Sequence, residues 1–177
     1  VSRFGSLIVL IYLIPPANSA SKKGYVARQR RMAALYRFLE QTVAVYMTRA
    51  VKTVSREMTV RDLSACFARD DFNAYPVEED AQVVGMVTKF DLLKCFVFSS
   101  SQIIPPYGQL MDRTVGEVMT SEFIYVRSDT RLTRVMQLMV DHRIRSVPAI
   151  DSDQRLAGII ARGDVLGALA SCTGQDT

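Results

Sequence analysis

Apolar positions along this chain change their spacing in a regular order. "AVKTV" (50–54) and "FIYV" (123–126) are short and rich in β-branched and aromatic residues, which predicts strands. Val60, Leu63 and Phe67 then recur at spacings of three and four, with Cys66 beside them. Leu132, Val135, Met136, Met139 and Val140 come after the second strand in the same way. Both stretches predict amphipathic helices with one core-facing side. Thr59 and Asp62 have the spacing of an N-terminal capping box. "AYPV" and "SVPAI" read as strands that open on an edge-tolerant proline, and a turn leads each into a further strand, "VVGMV" or "LAGII". A last helix starts around Asp91 or Asp164; in the first case Leu92, Leu93, Phe96 and Val97 are assigned to its apolar side. The order is β-α-β-β-α, twice, which makes the chain a mixed α/β (α+β) protein.

The duplication also holds residue by residue. With a shift of 72, "TVAVYMT" (42–48) aligns with "TVGEVMT" (114–120), Val54 with Val126, and Pro76 with Pro148. One extra residue then enters between "EEDAQ" (78–82) and "DSDQR" (151–155), so Gly85, Asp91 and Leu93 match Gly158, Asp164 and Leu166. The length change falls in a predicted turn, where chains tolerate it. The expected organisation is an N-terminal arm (1–24), a helix (25–41), repeat 1 (42–98), a linker (99–113), repeat 2 (114–170) and a tail (171–177).

In the N-terminal helix, Met32, Leu35, Leu39 and Val43 mark one face and Phe38 widens it, for packing on the body or on a second subunit. The apolar run "LIVLIYLI" (7–14) is shorter than the roughly 20 residues that span a bilayer. Three readings of the arm stay open: a weak signal peptide, the end of a membrane helix, or a non-native stretch ahead of a start at Met32. The last two agree best with the cytosolic character of the residues after the arm, and membrane association through 1–24 is the weaker expectation.

Charge sharpens this division. Net charge is +4, yet residues 1–39 carry seven Lys/Arg and no acid, leaving 15 Lys/Arg against 18 Asp/Glu elsewhere. The repeats are mildly acidic, which argues against a nucleic-acid partner. Cys66, Cys95 and Cys172 are odd in number, form no CxxC, and have only His142 for company, so neither a disulfide framework nor a metal site is expected. Reduced thiols suit a cytoplasmic location. There is no P-loop, no GxGxxG and no nucleophile–base constellation, so no enzyme is expected.

Met47-Thr48 and Met119-Thr120, "AYPV" and "SVPAID", and "VVGMVTKFDLL" and "LAGIIARGDVL" together resemble the CBS domain (cystathionine β-synthase domain) over residues 42–170. The paired copies resemble a Bateman module. The resemblance implies two domains packed by their sheets about a pseudo-two-fold axis, with clefts between them that often bind AMP, ADP, ATP or S-adenosylmethionine. It also implies a regulatory or sensory role, no required cofactor, and a homodimer formed through helices.

The resemblance places ribose contacts at Asp91 and Asp164, and a ribose or phosphate contact at Thr88, whose counterpart is Ala161. It places phosphate contacts at Arg145, whose counterpart is Asn73, while Lys89 and Arg162 are in reach of phosphates; the alternative is that Arg145, with Arg143 and His142, is a solvated cation at a helix end and that Lys89 and Arg162 sit in water. Thr53, Tyr75, Tyr125 and Val147 occupy positions that the resemblance puts on the adenine side, with strand packing as the alternative role. Thr88 and Asp91 equally form a capping-box pattern. Asp164 keeps its carboxylate without a hydroxyl at Ala161, which favours a job for the Asp beyond capping. The copies are complementary in their defects, so the cleft around Thr88 and Asp91 is expected to be the better one, with phosphate contacts lent by repeat 2. Two alternatives remain: a ligand-free dimerisation module, and the cytosolic part of a membrane transporter or channel regulator.

Overall fold

The computed structural model describes residues 32–97 and 107–173. The arm, the first part of the N-terminal helix and most of the predicted linker lie outside the described residues. In chain order the elements are α1 (32–39), α2 (Val43–Tyr46), β1 (Val54–Ser55), α3 (Val60–Asp70), β2 (Ala74–Glu79), β3 (Gln82–Thr88) and α4 (Lys89–Cys95). The second half continues with α5 (Tyr107–Met111), α6 (Val115–Val118), α7 (Leu132–Asp141), β4 (Ser146–Ile150), β5 (Leu156–Ala161) and α8 (Arg162–Thr173). One sheet has the order β1-β2-β3, the other pairs β4 with β5 antiparallel.

The predicted first strands are much shorter than "AVKTV" and "FIYV". Only Val54 and Ser55 pair in parallel with Val77 and Glu78, and in the second copy Val126 alone bridges Ala149. The prolines explain it. Val126 donates to the Pro148 carbonyl at 3.0 Å and accepts from Ile150 N–H at 2.8 Å. The next bond of a parallel ladder would need an N–H from Pro148, which has none. The same holds at Pro76. These prolines do not open their strands at an edge; each is the third residue of a strand that is paired on both sides. Pro76 faces Met86, whose backbone bonds Thr120 instead, at 2.9 Å in both directions. Pro148 faces Ile159, which bonds Thr48 in the same way, also at 2.9 Å. No donor is missed on either side.

Those two bridges expose the main feature of the fold. The leading segment of each sequence repeat packs in the other half. Val43 and Met47 belong to the core of Val126, Leu132, Val147 and Ile160, while Val115 and Met119 join Val54, Leu63, Phe67, Tyr75 and Val87. The exchange is reciprocal. Thr42 bridges Arg131 as Thr59 bridges Thr114, and Leu132 N–H donates to Gln41 as Val60 N–H donates to Arg113, at 2.9 and 2.8 Å. Such pairing is what a pseudo-two-fold axis produces. It also explains the matched glycines. A Cβ on Gly85 would lie 2.7 Å from Met119 Sδ and 3.0 Å from the Thr120 carbonyl; one on Gly158 would meet Met47 Sδ at 2.7 Å and the Thr48 carbonyl at 2.8 Å.

Several predicted faces are narrower than the pattern. In α7, Leu132, Val135 and Met139 are buried, but Met136 and Val140 are 42% and 71% exposed. In α4, Leu92 packs on the core whereas Leu93 is 62% exposed, and Val97, just past the end of the helix, is 68% exposed. In α1 the buried pair is Ala34 and Phe38, with Leu35 and Leu39 turned outward, and Val43 starts a new element after the turn at Glu40. Short helices on a small two-layer core have room for only about one buried row. Part of the predicted linker is helix α5, whose Met111 is buried, and α8 runs past residue 170 to bury Cys172. The three cysteines are free. Among the described residues no helix is long and apolar enough to cross a membrane.

Candidate functional site

Strand β3 ends where α4 begins, and Thr88 serves both. Its extended backbone leaves the Thr88 side chain free to accept from Asp91 N–H at 3.2 Å, while Asp91 Oδ2 accepts from Thr88 N–H at 2.8 Å. This is a complete capping box. The Thr88 hydroxyl also donates to Asp91 Oδ2 at 2.6 Å, and Lys94 Nζ lies 2.6 Å from Oδ1. Both Asp91 oxygens thereby have partners, and it is the buried charged residue among the described residues, at 4% exposure. The capping box expected at Thr59 is only half formed: its oxygen accepts from Asp62 N–H at 3.1 Å, but its hydroxyl, not its backbone N–H, donates to the Asp62 carboxylate, at 2.8 Å.

The second copy corrects one inference. Asp164 Oδ2 accepts from Ala161 N–H at 2.7 Å. The backbone half of the capping box survives without a hydroxyl, so retention of Asp164 needs no task beyond the helix start.

A cleft of about 610 Å³ opens between the two halves beside Asp91. Asn73, Thr88, Lys89 and Asp91 line it from repeat 1, and Arg145 lines it from repeat 2. Five predicted site residues thus share one concavity. Arg145 donates to Asn73 Oδ1 at 3.1 Å, so two positions related by the repeat meet near the axis. Lys89 Nζ is 3.4 Å from Asp71 Oδ1. The apolar part of the wall comes from Phe90, Leu93, Phe123, Ile124 and Ile144, with Arg143 and Glu122 at its rim. Among the described groups of His, Cys, Asp and Glu none has the makings of a metal centre.

Seven other predicted residues do not line this cleft. Tyr75 is 1% exposed in the core, its ring 5.0 Å from that of Phe67 and its hydroxyl 2.9 Å from Asp70 Oδ2. Val147 is fully buried in the other core. Alternation explains Val147: its neighbour Pro148 lines the cleft, so the next side chain on the strand points the other way, into the core, and Tyr75 holds the matching place beside Pro76. The Thr53 hydroxyl donates to Glu78 Oε2 at 2.7 Å, and Tyr125 stands half-exposed beside Phe123. Arg162 Nε donates to the Ile144 carbonyl at 3.0 Å, which ties it to the chain. Ala161 and Asp164 lie at the equivalent strand–helix junction of the second half.

Sequence reasoning misses Phe123, Ile124 and Glu122, because "FIYV" reads as a regular strand. It also misses Lys94, although the i,i+3 spacing from Asp91 is there to be seen. Arg143 follows the cap of α7 with φ 55°, and Asp71 takes the same left-handed turn at φ 51° in the first copy. Opposite charges therefore stand at equivalent positions, with Arg143 on this cleft.

Similar proteins agree with this architecture. A CBS-domain protein of Bacillus subtilis, YhcV, is 31% identical over 119 residues, covering 67% of this chain and 79% of its own. MJ1225 of Methanocaldococcus jannaschii is 27% identical over 128 residues, and the match spans only 44% of its length; its crystal structure superposes with a TM-score of 0.69 over 80% of this chain. CBSX2 of Arabidopsis thaliana, solved in complex with AMP, is 27% identical with a TM-score of 0.63, covering 73% of this chain and 96% of that one. The family model for the CBS domain matches residues 43–97 and 115–171, and so the chain belongs to the CBS-domain family, as a tandem pair.

Proposed function

We propose that this protein is a regulatory module that binds an adenosyl ligand, AMP, ADP, ATP or S-adenosylmethionine, in the cleft beside Asp91. It signals through dimer or partner contacts rather than by catalysis. The observation that carries this reading is the convergence of Thr88, Asp91, Lys89 and Asn73 with Arg145 of the other repeat on one cleft of about 610 Å³. A carboxylate supplies acceptors for ribose hydroxyls, apolar walls suit a purine, and Arg145 and Arg143 carry no carboxylate partner among the described ion pairs. The complex of CBSX2 with AMP supports the ligand class. Exposed Met136, Val140 and Leu166 on helices α7 and α8 support a homodimer through helical faces. Free thiols support a cytoplasmic location.

The second junction has Ala161 for Thr88, Asn73 for Arg145 and Asp71 for Arg143, so one nucleotide per chain is the expected stoichiometry. Calorimetry with each of the four compounds tests this. The reading requires saturable binding near one site per chain, weakened by Asp91→Ala. Two equal sites would overturn the inequality of the clefts. No binding of any adenosyl compound would leave the ligand-free dimerisation module as the better account.

A further inference from the structure

We propose that Lys94 is a built-in competitor for the ribose, an affinity-setting residue that must leave Asp91 before a vicinal diol can bind. The inference rests on the adenosyl reading above. An ionised carboxylate offers about four lone-pair positions. At Asp91 three donors already claim them: Thr88 N–H at 2.8 Å, the Thr88 hydroxyl at 2.6 Å and the Lys94 ammonium at 2.6 Å. A ribose brings two hydroxyl donors and finds room for one.

Of the three donors, only Lys94 can withdraw without undoing local structure. The two Thr88 bonds belong to the cap of α4. The Lys94 side chain is 54% exposed, and its ammonium sits 5.5 Å from the exposed Phe90 ring, which keeps a favourable cation–π neighbour during release. Among the described residues the second half has no such competitor. Asp164 accepts one described bond, from Ala161 N–H, and Gly167 occupies the place of Lys94. The cleft with the better phosphate contacts is therefore the one whose carboxylate is guarded.

The test is titration of the full chain with adenosine and with 2′-deoxyadenosine, which lacks one of the two hydroxyls. Lys94→Met is expected to tighten adenosine about twofold to fivefold, the range for losing a competing exposed ion pair, and to leave 2′-deoxyadenosine unchanged. Lys94→Gln serves if the Met variant misfolds. Wild type gives an independent reading: adenosine is uncharged, so its affinity is expected to rise with added salt as the Lys94–Asp91 pair is screened. If Asp91→Ala weakens adenosine but neither Lys94 variant tightens it and salt has no effect, the competitor role is wrong and the adenosyl reading stands. If Asp91→Ala has no effect on adenosine, the ribose contact itself fails and this inference falls with it.

Discussion

Asp70 shows how one side chain links a helix end to the core. Its side chain is 5% exposed at the close of α3, held by Arg69 at 2.9 Å, Lys52 at 2.8 Å and the Tyr75 hydroxyl at 2.9 Å. The Arg69 guanidinium first, then Lys52 and Tyr75, keep its carboxyl well below the usual carboxylate range. Burial, and then the hydrogen bond to Asp70, push the Tyr75 phenol up. The folded state thus binds the Asp70 proton more weakly than the unfolded chain, whose Asp titrates near about 3.9. Its stabilising contribution is complete above that value and is lost as pH falls below it. Urea melts of Asp70→Asn are expected to show a shallower loss of stability between pH 5 and pH 3, about the unfolded Asp range, than wild type. An unchanged slope would remove Asp70 from the account. The glycines make a second test at this scale. Gly158→Ala forces a Cβ to 2.8 Å from a backbone carbonyl, whereas Gly85→Ala meets its carbonyl at 3.0 Å. The penalty for Gly158→Ala is expected to be about 1–3 kcal/mol and the larger of the two by thermal or urea unfolding.

At the scale of elements, hydrophobic period locates the helices but overstates their buried width. Val60, Leu63 and Phe67 are legible because α3 turns one face inward: all three are buried, and Leu63 and Phe67 pack with Val54, Tyr75, Val77 and Val87. In α1 the same kind of pattern names Leu35 and Leu39 with Phe38 at the margin, while the packed residues are Phe38 and Ala34. Spacing alone cannot choose between adjacent stripes when apolar residues occupy both. Phe38→Ala is expected to cost about 3–5 kcal/mol, and Leu35→Ala, at a side chain 46% exposed, well under half of that. Equal losses in chemical denaturation would place the wrong face inward. The first strands are overestimated for a different reason: β-branched content signals the capacity to pair, but Pro76 and Pro148 withhold the donors that longer pairing needs.

For the whole molecule, the exchange of leading segments decides what a folding unit is. Residues 42–98 form one sequence repeat, yet Val43 and Met47 lie in the core of the other half, and Val115 and Met119 return the contact. A fragment ending within the 98–106 stretch is therefore expected to lack cooperative unfolding by circular dichroism, and mixing it with the complementary fragment to restore it. An independently cooperative N-terminal fragment would contradict the exchange. The same arrangement brings Arg145 beside Asn73 and so puts a repeat 2 cation into the cleft that holds the Thr88–Asp91 junction of repeat 1.

The sequence by itself determined the duplicated β-α-β-β-α order, the family resemblance, the junction of Thr88 and Asp91, and the asymmetry left by Ala161. These come from local period, turn chemistry and alignment of the chain with itself, all short-range properties of the residues. Only the tertiary structure decided that Tyr75 and Val147 are core, that Asp164 is satisfied by a backbone N–H, that Phe123 and Ile124 line the cleft, and that the halves trade their leading segments. Each depends on which way a side chain points and on what another part of the chain, often some 70 residues away, brings to meet it. Such contacts leave no period in the sequence to read.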